Sequence, residues 1–148
     1  MLEWRYKTFS ELTNLELYKL IQLRNEVFVV EQNCVYQDAD GKDLECTHLL
    51  GYSGTELAAY VRIVPPSISY EGFCSIGRVV VSPNHRRNDF GKAVMNKAIE
   101  ICKNNFEENI KISAQCYLET FYTELGFKVV SEEYLEDDIP HYAMIYQA

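Results

Sequence analysis

The chain has 148 residues, a formal net charge of −8, 47% hydrophobic and 24% charged residues. This is the length of one domain, with enough apolar residues to bury a core, which excludes a disordered chain. The acidic balance repels a phosphate backbone and so argues against a general nucleic-acid binder, while no apolar run approaches the roughly 18 residues of a membrane span.

The chain opens on Met1-Leu2-Glu3-Trp4-Arg5-Tyr6-Lys7, which lacks the apolar core of a secretory signal and predicts a cytoplasmic protein. Leu2, Trp4 and Tyr6 alternate with charged residues, so the first element reads as a half-buried strand. Thr13 and Glu16 have the spacing of a capping box, and Leu17, Leu20, Ile21 and Phe28 recur at helical intervals, predicting a helix through about Val27. From Glu31 to Cys46 the periodicity fails and a long polar loop is expected. Thr47 to Tyr52 and Glu56 to Val64 flank Ser53-Gly54-Thr55 and read as a hairpin, closed by Pro65-Pro66. Cys74 to Val81 reads as a central strand ending at Pro83, followed by a polar turn and a helix from Gly91 to about Lys103. A strand over Ile110–Ala114, a short helix over Tyr117–Leu125 stopped by Gly126, and strands over Phe127–Tyr134 and His141–Tyr146 complete one α/β domain spanning residues 1–148.

Chemistry concentrates between Ile76 and Ala93. A turn feeding a helix N-terminus presents unpaired N–H groups and the positive end of the helix dipole, which together favour a phosphate or diphosphate. Gly91 would let a ligand approach the backbone, and Arg86, Arg87 and Lys92 gather positive charge in an acidic protein. The same residues could also form an ordinary solvated turn. Neither G-x-x-x-x-G-K-[ST] nor G-x-G-x-x-G occurs, so the fingerprints of ATPases and dehydrogenases are missing. Five cysteines make an odd count without C-x-x-C or zinc spacing and read as free thiols. The acidic stretch Asp38-Ala39-Asp40-Gly41-Lys42-Asp43 fails as an EF-hand, because Tyr36 and Thr47 fall where acidic ligands are needed. It reads as a solvated loop or an acidic rim attractive to amines, and no metal site is expected.

The run Arg86-Arg87-Asn88-Asp89-Phe90-Gly91 resembles the Arg/Gln-x-x-Gly-x-Gly/Ala motif of the GNAT acetyltransferase superfamily, with Asp89 where that motif has its middle glycine. A carboxylate at that point is compatible with a diphosphate when it points away. Phe121-Tyr122-Thr123-Glu124-Leu125-Gly126-Phe127 is similar to the family's F-Y-x-x-x-G-F segment, and it follows in the expected order. The segment from Arg24 to Cys34, with Asp38, Asp40, Asp43 and His48 after it, is similar to the ElaA-like branch, so the resemblance covers nearly the whole chain.

That resemblance implies a GNAT-type α/β (α+β) fold with a mixed, mostly antiparallel sheet flanked by helices. It implies an N-acetyltransferase using acetyl-CoA, with direct attack by a primary amine and no acyl-enzyme. The backbone of Val79, Val80 and Val81 would hold the pantetheine arm, and Arg86, Arg87, Asn88, Asp89, Phe90, Gly91 and Lys92 the diphosphate, with Phe121 beside them. Tyr122 would protonate the departing thiolate, since a phenol is protonated at neutral pH. Arg24, Glu31 and His48 are candidates for the acceptor side; Glu31, His48 and His141 are candidates for the base. The expected partner is a small-molecule or peptide amine, and a homodimer is compatible with the sequence. Two other readings stay open: an acyl-homoserine-lactone-synthase-like acyltransferase, and a CoA-binding sensor or scaffold without turnover.

Overall fold

Capping chemistry starts the first helix where the Thr13/Glu16 spacing places it. The Glu16 N–H donates to Thr13 Oγ1 at 3.1 Å and the Thr13 N–H to Glu16 Oε1 at 2.9 Å, satisfying donors that a helix N-terminus leaves open. The computed structural model describes residues 1–106 and 109–147. Strand β1 (Glu3–Thr8) precedes helix α1 (Asn14–Arg24), which runs on as a π-helical stretch over Asn25–Glu31. The hairpin of β2 (Thr47–Ser53) and β3 (Glu56–Val64) follows, then β4 (Phe73–Val81), α2 (Phe90–Asn105), β5 (Asn109–Gln115) and α3 (Glu119–Glu124). The last elements are β6 (Lys128–Val129), β7 (Tyr134–Glu136) and β8 (Ile139–Tyr146).

The strands form one mixed sheet in the order β1-β2-β3-β4-β5-β8-β6, with β7 also on β8. The β4–β5 pair is parallel and the others are antiparallel. Strand alternation sends neighbouring side chains to opposite faces. On one face Leu49, Val61, Ile63, Cys74, Ile76, Ile110, Ile112 and Met144 pack with Val94, Met95, Ala98 and Cys102 of α2. On the other, Leu50, Tyr52, Tyr60 and Val80 meet Leu20, Leu23 and Val27. β3 is covered on both sides, which accounts for its nearly unbroken apolar run. Among the described residues no helix is long and apolar enough to cross a membrane.

Strand β4 carries the irregularity that makes room for a site. Val80 pairs with Tyr60 and Gly77 with Arg62, so Arg78 and Val79 both stand opposite the single residue Val61. Arg78 takes φ 52°, and the extra residue is a β-bulge that bends the strand and reverses its alternation. Cys74 and Ile76 therefore face α2, whereas Val80 faces α1. β4 pairs with β5 at Phe73–Asn109 and Cys74–Ile110; beyond these the two strands part.

The expected continuous strand over Phe127–Tyr134 is replaced by the short β6 and β7. Ser131 ends the first ladder by accepting the Ala143 N–H on its own Oγ at 2.9 Å, and side-chain capture of a backbone donor competes with strand pairing. Asp137 and Asp138, at φ 52° and 61°, then form a left-handed turn that joins β7 to β8. Such turns match the twist of a hairpin, and aspartate tolerates them.

Candidate active site

Where β4 and β5 part, a cleft of about 500 Å³ opens. One wall is β4 from Ile76 to Val81; the other contains Ile112, Ser113 and Gln115 of β5. Phe28 and Glu31 of the π-helical stretch, Tyr117, Leu118 and Tyr122 from the segment around α3, and Glu136, Asp137, Ile139 and His141 from the β7–β8 hairpin also line it. Because β4 has lost β5 as a partner, alternate backbone N–H and C=O groups along its inner edge face this space, available to an extended amide-bearing ligand.

The same edge leads into the start of α2. Arg87 and Asp89 both adopt left-handed backbone, at φ 69° and 58°. Among the described residues, no backbone N–H from Arg86 to Lys92 donates to a backbone carbonyl outside the helix. These donors and the helix dipole fit a diphosphate. A Cβ on Gly91 would meet Phe121 at 3.7 Å and Val81 at 3.8 Å, ordinary contacts, so packing within the chain does not demand glycine there. Asp89 keeps the backbone conformation that a glycine would favour; its side chain is exposed and makes no cap hydrogen bond.

Of the predicted cofactor residues, Val79, Val80, Val81 and Arg86 line the cleft, whereas Arg87, Asn88, Asp89, Phe90, Gly91, Lys92 and Phe121 are not among its lining residues. Val79 and Val81 pack towards α2 and Val80 towards α1, so their backbone rather than their side chains forms the shared edge. Arg86 is held by Glu31 through two hydrogen bonds of 2.7 and 2.6 Å. This bidentate pair ties the end of the π-helical stretch to the loop before α2 and lowers the Glu31 pKa. Asn88 Nδ2 donates to the backbone carbonyls of His85 and Arg86 at 3.1 and 3.4 Å, bracing the turn, while Arg87 and Lys92 remain exposed.

Tyr122 is 8% exposed. Its ring makes edge contacts with Phe121 at 5.1 Å and Phe127 at 5.9 Å, yet the residue borders the cleft. Burial, with a smaller contribution from Tyr117, pushes its phenol up to about 12. It stays protonated at neutral pH and can donate to a developing thiolate.

Arg24 and His48 do not border the cleft. Arg24 is fully buried, with Nε on Asp38 Oδ2 and Nη1 on Asp43 Oδ1, each at 2.8 Å. His48 Nε2 lies 3.0 Å from the Asp43 carbonyl and Nδ1 2.7 Å from the Tyr60 hydroxyl. A carbonyl can only accept, so the proton sits on Nε2 and Tyr60 donates to Nδ1. Burial lowers the His48 pKa, keeping this structural imidazole neutral.

The acidic loop has a similar internal use. Arg62 pairs with Asp40 and Asp43 at 2.8 and 3.1 Å, and Arg78 pairs with Asp38 and Asp40 at 2.9 and 3.4 Å. Three arginines and three aspartates therefore fasten α1 and the loop to β3 and to the bulge of β4. Sequence reading did not identify Arg78 or Tyr36 as cleft residues, yet both line it; Tyr36 donates to Asp38 at 3.2 Å. Their sequence signal was weak, because an arginine inside an apolar strand and a tyrosine in a polar loop have many ordinary uses.

A splayed β4–β5 pair leading to a donor-rich helix start defines an acyltransferase of the acyl-CoA-using type. The chain belongs to the acetyltransferase (GNAT) domain family, whose model matches residues 15–148. Protein ElaA of Escherichia coli strain K12 is 44% identical over 147 residues, covering 97% of this chain and 95% of that protein. The crystal structure of Escherichia coli ElaA superposes with a TM-score of 0.92 at 43% identity, covering 99% of this chain and 100% of that one. A crystal structure of an acyl-CoA N-acyltransferase from Pseudomonas aeruginosa gives the same TM-score at 42% identity, with the same coverage of both chains.

Proposed function

We propose that this acyltransferase moves an acetyl group from acetyl-CoA to a primary amine by direct attack. The observation that carries the reading is the inner edge of β4, unpaired beyond Cys74–Ile110, followed in sequence by Arg86–Lys92, whose N–H groups donate to no backbone carbonyl outside the helix. The strand edge suits the amides of the pantetheine arm and the helix start suits the diphosphate. These two sites would place the thioester beside Tyr122, whose neutral phenol supplies the proton needed by the leaving sulfur. A β4 N–H beside the thioester carbonyl would stabilise negative charge as the amine adds. Glu136 and Asp137, which line the cleft, favour a cationic acceptor.

Thiol release on mixing acetyl-CoA with a panel of alkyl amines, polyamines and peptides tests the activity. Tyr122→Phe should lower kcat by about 100-fold, the lower range for loss of a general acid, with acetyl-CoA affinity unchanged. Equal losses of turnover and affinity, or full activity, would remove Tyr122 from this role.

A further inference from the structure

We propose that His141 is the general base that takes the proton from the acceptor ammonium, held in the right tautomer by its own backbone and assisted by Glu136. The proposal rests on the acetyl-transfer reading above and adds the group that activates the amine. His141 stands opposite Gln115 of β5 and opposite Tyr134 of β7. Ile110, Ile112, Ala114 and Met144 fill the α2 face of these strands, so alternation places Gln115 and His141 on the other face. Tyr122, from α3, belongs to the α2-side core. The two proton-handling groups therefore reach one cleft from opposite faces of the sheet, the phenol on the thioester side and the imidazole on the side left for the acceptor.

Its hydrogen bonds define the imidazole's chemistry. His141 Nδ1 lies 2.6 Å from the Ile139 carbonyl; a carbonyl can only accept, so Nδ1 carries the proton and Nε2 of the neutral ring keeps its lone pair. The residue is 6% exposed and borders the cleft. Nε2 is 3.7 Å from Glu136 Oε2, too far for a direct hydrogen bond, so the carboxylate stands beside the nitrogen that would take the proton. Ser113 Oγ donates to Glu136 Oε1 at 3.0 Å and lies 2.6 Å from the Tyr134 hydroxyl. With its single proton committed to Glu136, Ser113 accepts from Tyr134, whose ring is also stacked on His141 at 6.2 Å. This chain leaves Glu136 Oε2 facing the imidazole.

Other charged or titratable groups bordering the same cleft are Asp137 in the β7–β8 turn and, elsewhere in its lining, Cys34, Arg78, Tyr117 and the Glu31–Arg86 pair. Tyr36 and Tyr122, both pushed up to about 12 chiefly by burial, stay neutral over the working range. Of the three base candidates, Glu31 is engaged by Arg86 and His48 has both nitrogens occupied, which leaves the Nε2 lone pair of His141.

In the transfer, Nε2 takes one proton from the ammonium and the neutral amine attacks the thioester carbonyl carbon. The C–N bond forms, the C–S bond breaks, and the sulfur takes the Tyr122 proton. The second proton leaving nitrogen restores Tyr122 through solvent, and the imidazolium releases its proton to water. One net proton appears per amide made.

The test measures kcat/KM for an alkyl amine from pH 6 to 10 in the wild type and in His141→Gln, with acetyl-CoA affinity measured calorimetrically in both. His141→Gln should lose about 100-fold at neutral pH and bind acetyl-CoA as before. Its deficit should shrink towards pH values near about 10, where an alkyl amine begins to deprotonate unaided. Glu136→Gln, at an exposed position, should fold normally and show a several-fold loss in the same direction. A deficit independent of pH, or activity within twofold of wild type in both variants, would overturn the assignment while leaving acetyl transfer intact. A wild type that fails to bind acetyl-CoA would instead overturn the underlying reading and this proposal with it.

Discussion

Tyr122 and Glu16 show how much one residue's role depends on what folding places beside it. The sequence put Tyr122 on an apolar helical face, where its ring had to pack; the structure gives the ring Phe121 and Phe127 and opens the residue onto the cleft. Its motif is the ground for the proposed proton-donor role, whereas spacing alone does not separate it from a core tyrosine. Glu16 was legible as a cap but not as an ion-pair partner, since Arg5 and Lys7 reach it from β1. Burial would raise its pKa, but Lys7, the Thr13 N–H and Arg5 outweigh that and hold it at about 2. A carboxylate with a depressed folded pKa stabilises above its unfolded value, and that contribution is lost as pH falls towards the folded one. Stability should therefore decline from about pH 4.5 towards about 2, and Glu16→Gln should flatten part of the decline. Urea midpoints across this range check it; identical pH slopes for the two proteins would contradict the linkage.

Elements were legible where one local rule governed them. The capping box set α1, the Ser53-Gly54-Thr55 turn set the first hairpin, and Gly126 stopped α3 with φ 110°. The β4 bulge was not legible, because nothing in Gly77-Arg78-Val79 separates it from a regular strand; its left-handed Arg78 is sustained by remote aspartates. The same distance in sequence hid the Arg24–Asp38–Asp43 network, which joins α1 to a loop that periodicity could describe only as polar. Breaking a buried charge network leaves an uncompensated ion, so Arg24→Ala should cost about 3–5 kcal/mol. Thr13→Ala, which removes one cap at the other end of the helix, should cost about 1 kcal/mol. Urea denaturation distinguishes the two; an Arg24 variant no weaker than the Thr13 variant would mean the network contributes little.

At the scale of the molecule, the fold class was readable from the order of elements and two family motifs, and the sheet and helices follow it. The cleft was less accessible to sequence reading because it is built from absence of pairing: β4 and β5 are joined at one end and apart at the other. Asp89 was the departure from the family motif, and its exposed side chain on a left-handed backbone shows how the turn accommodates a carboxylate without directing it into the helix start. Both features bear on the same claim, that this opened sheet is an acetyl-CoA site. Calorimetric titration of the purified protein with acetyl-CoA tests it most directly: saturable binding at one site per chain, weakened for acetyl-pantetheine, which lacks the diphosphate, is the predicted result, and no binding would contradict the account.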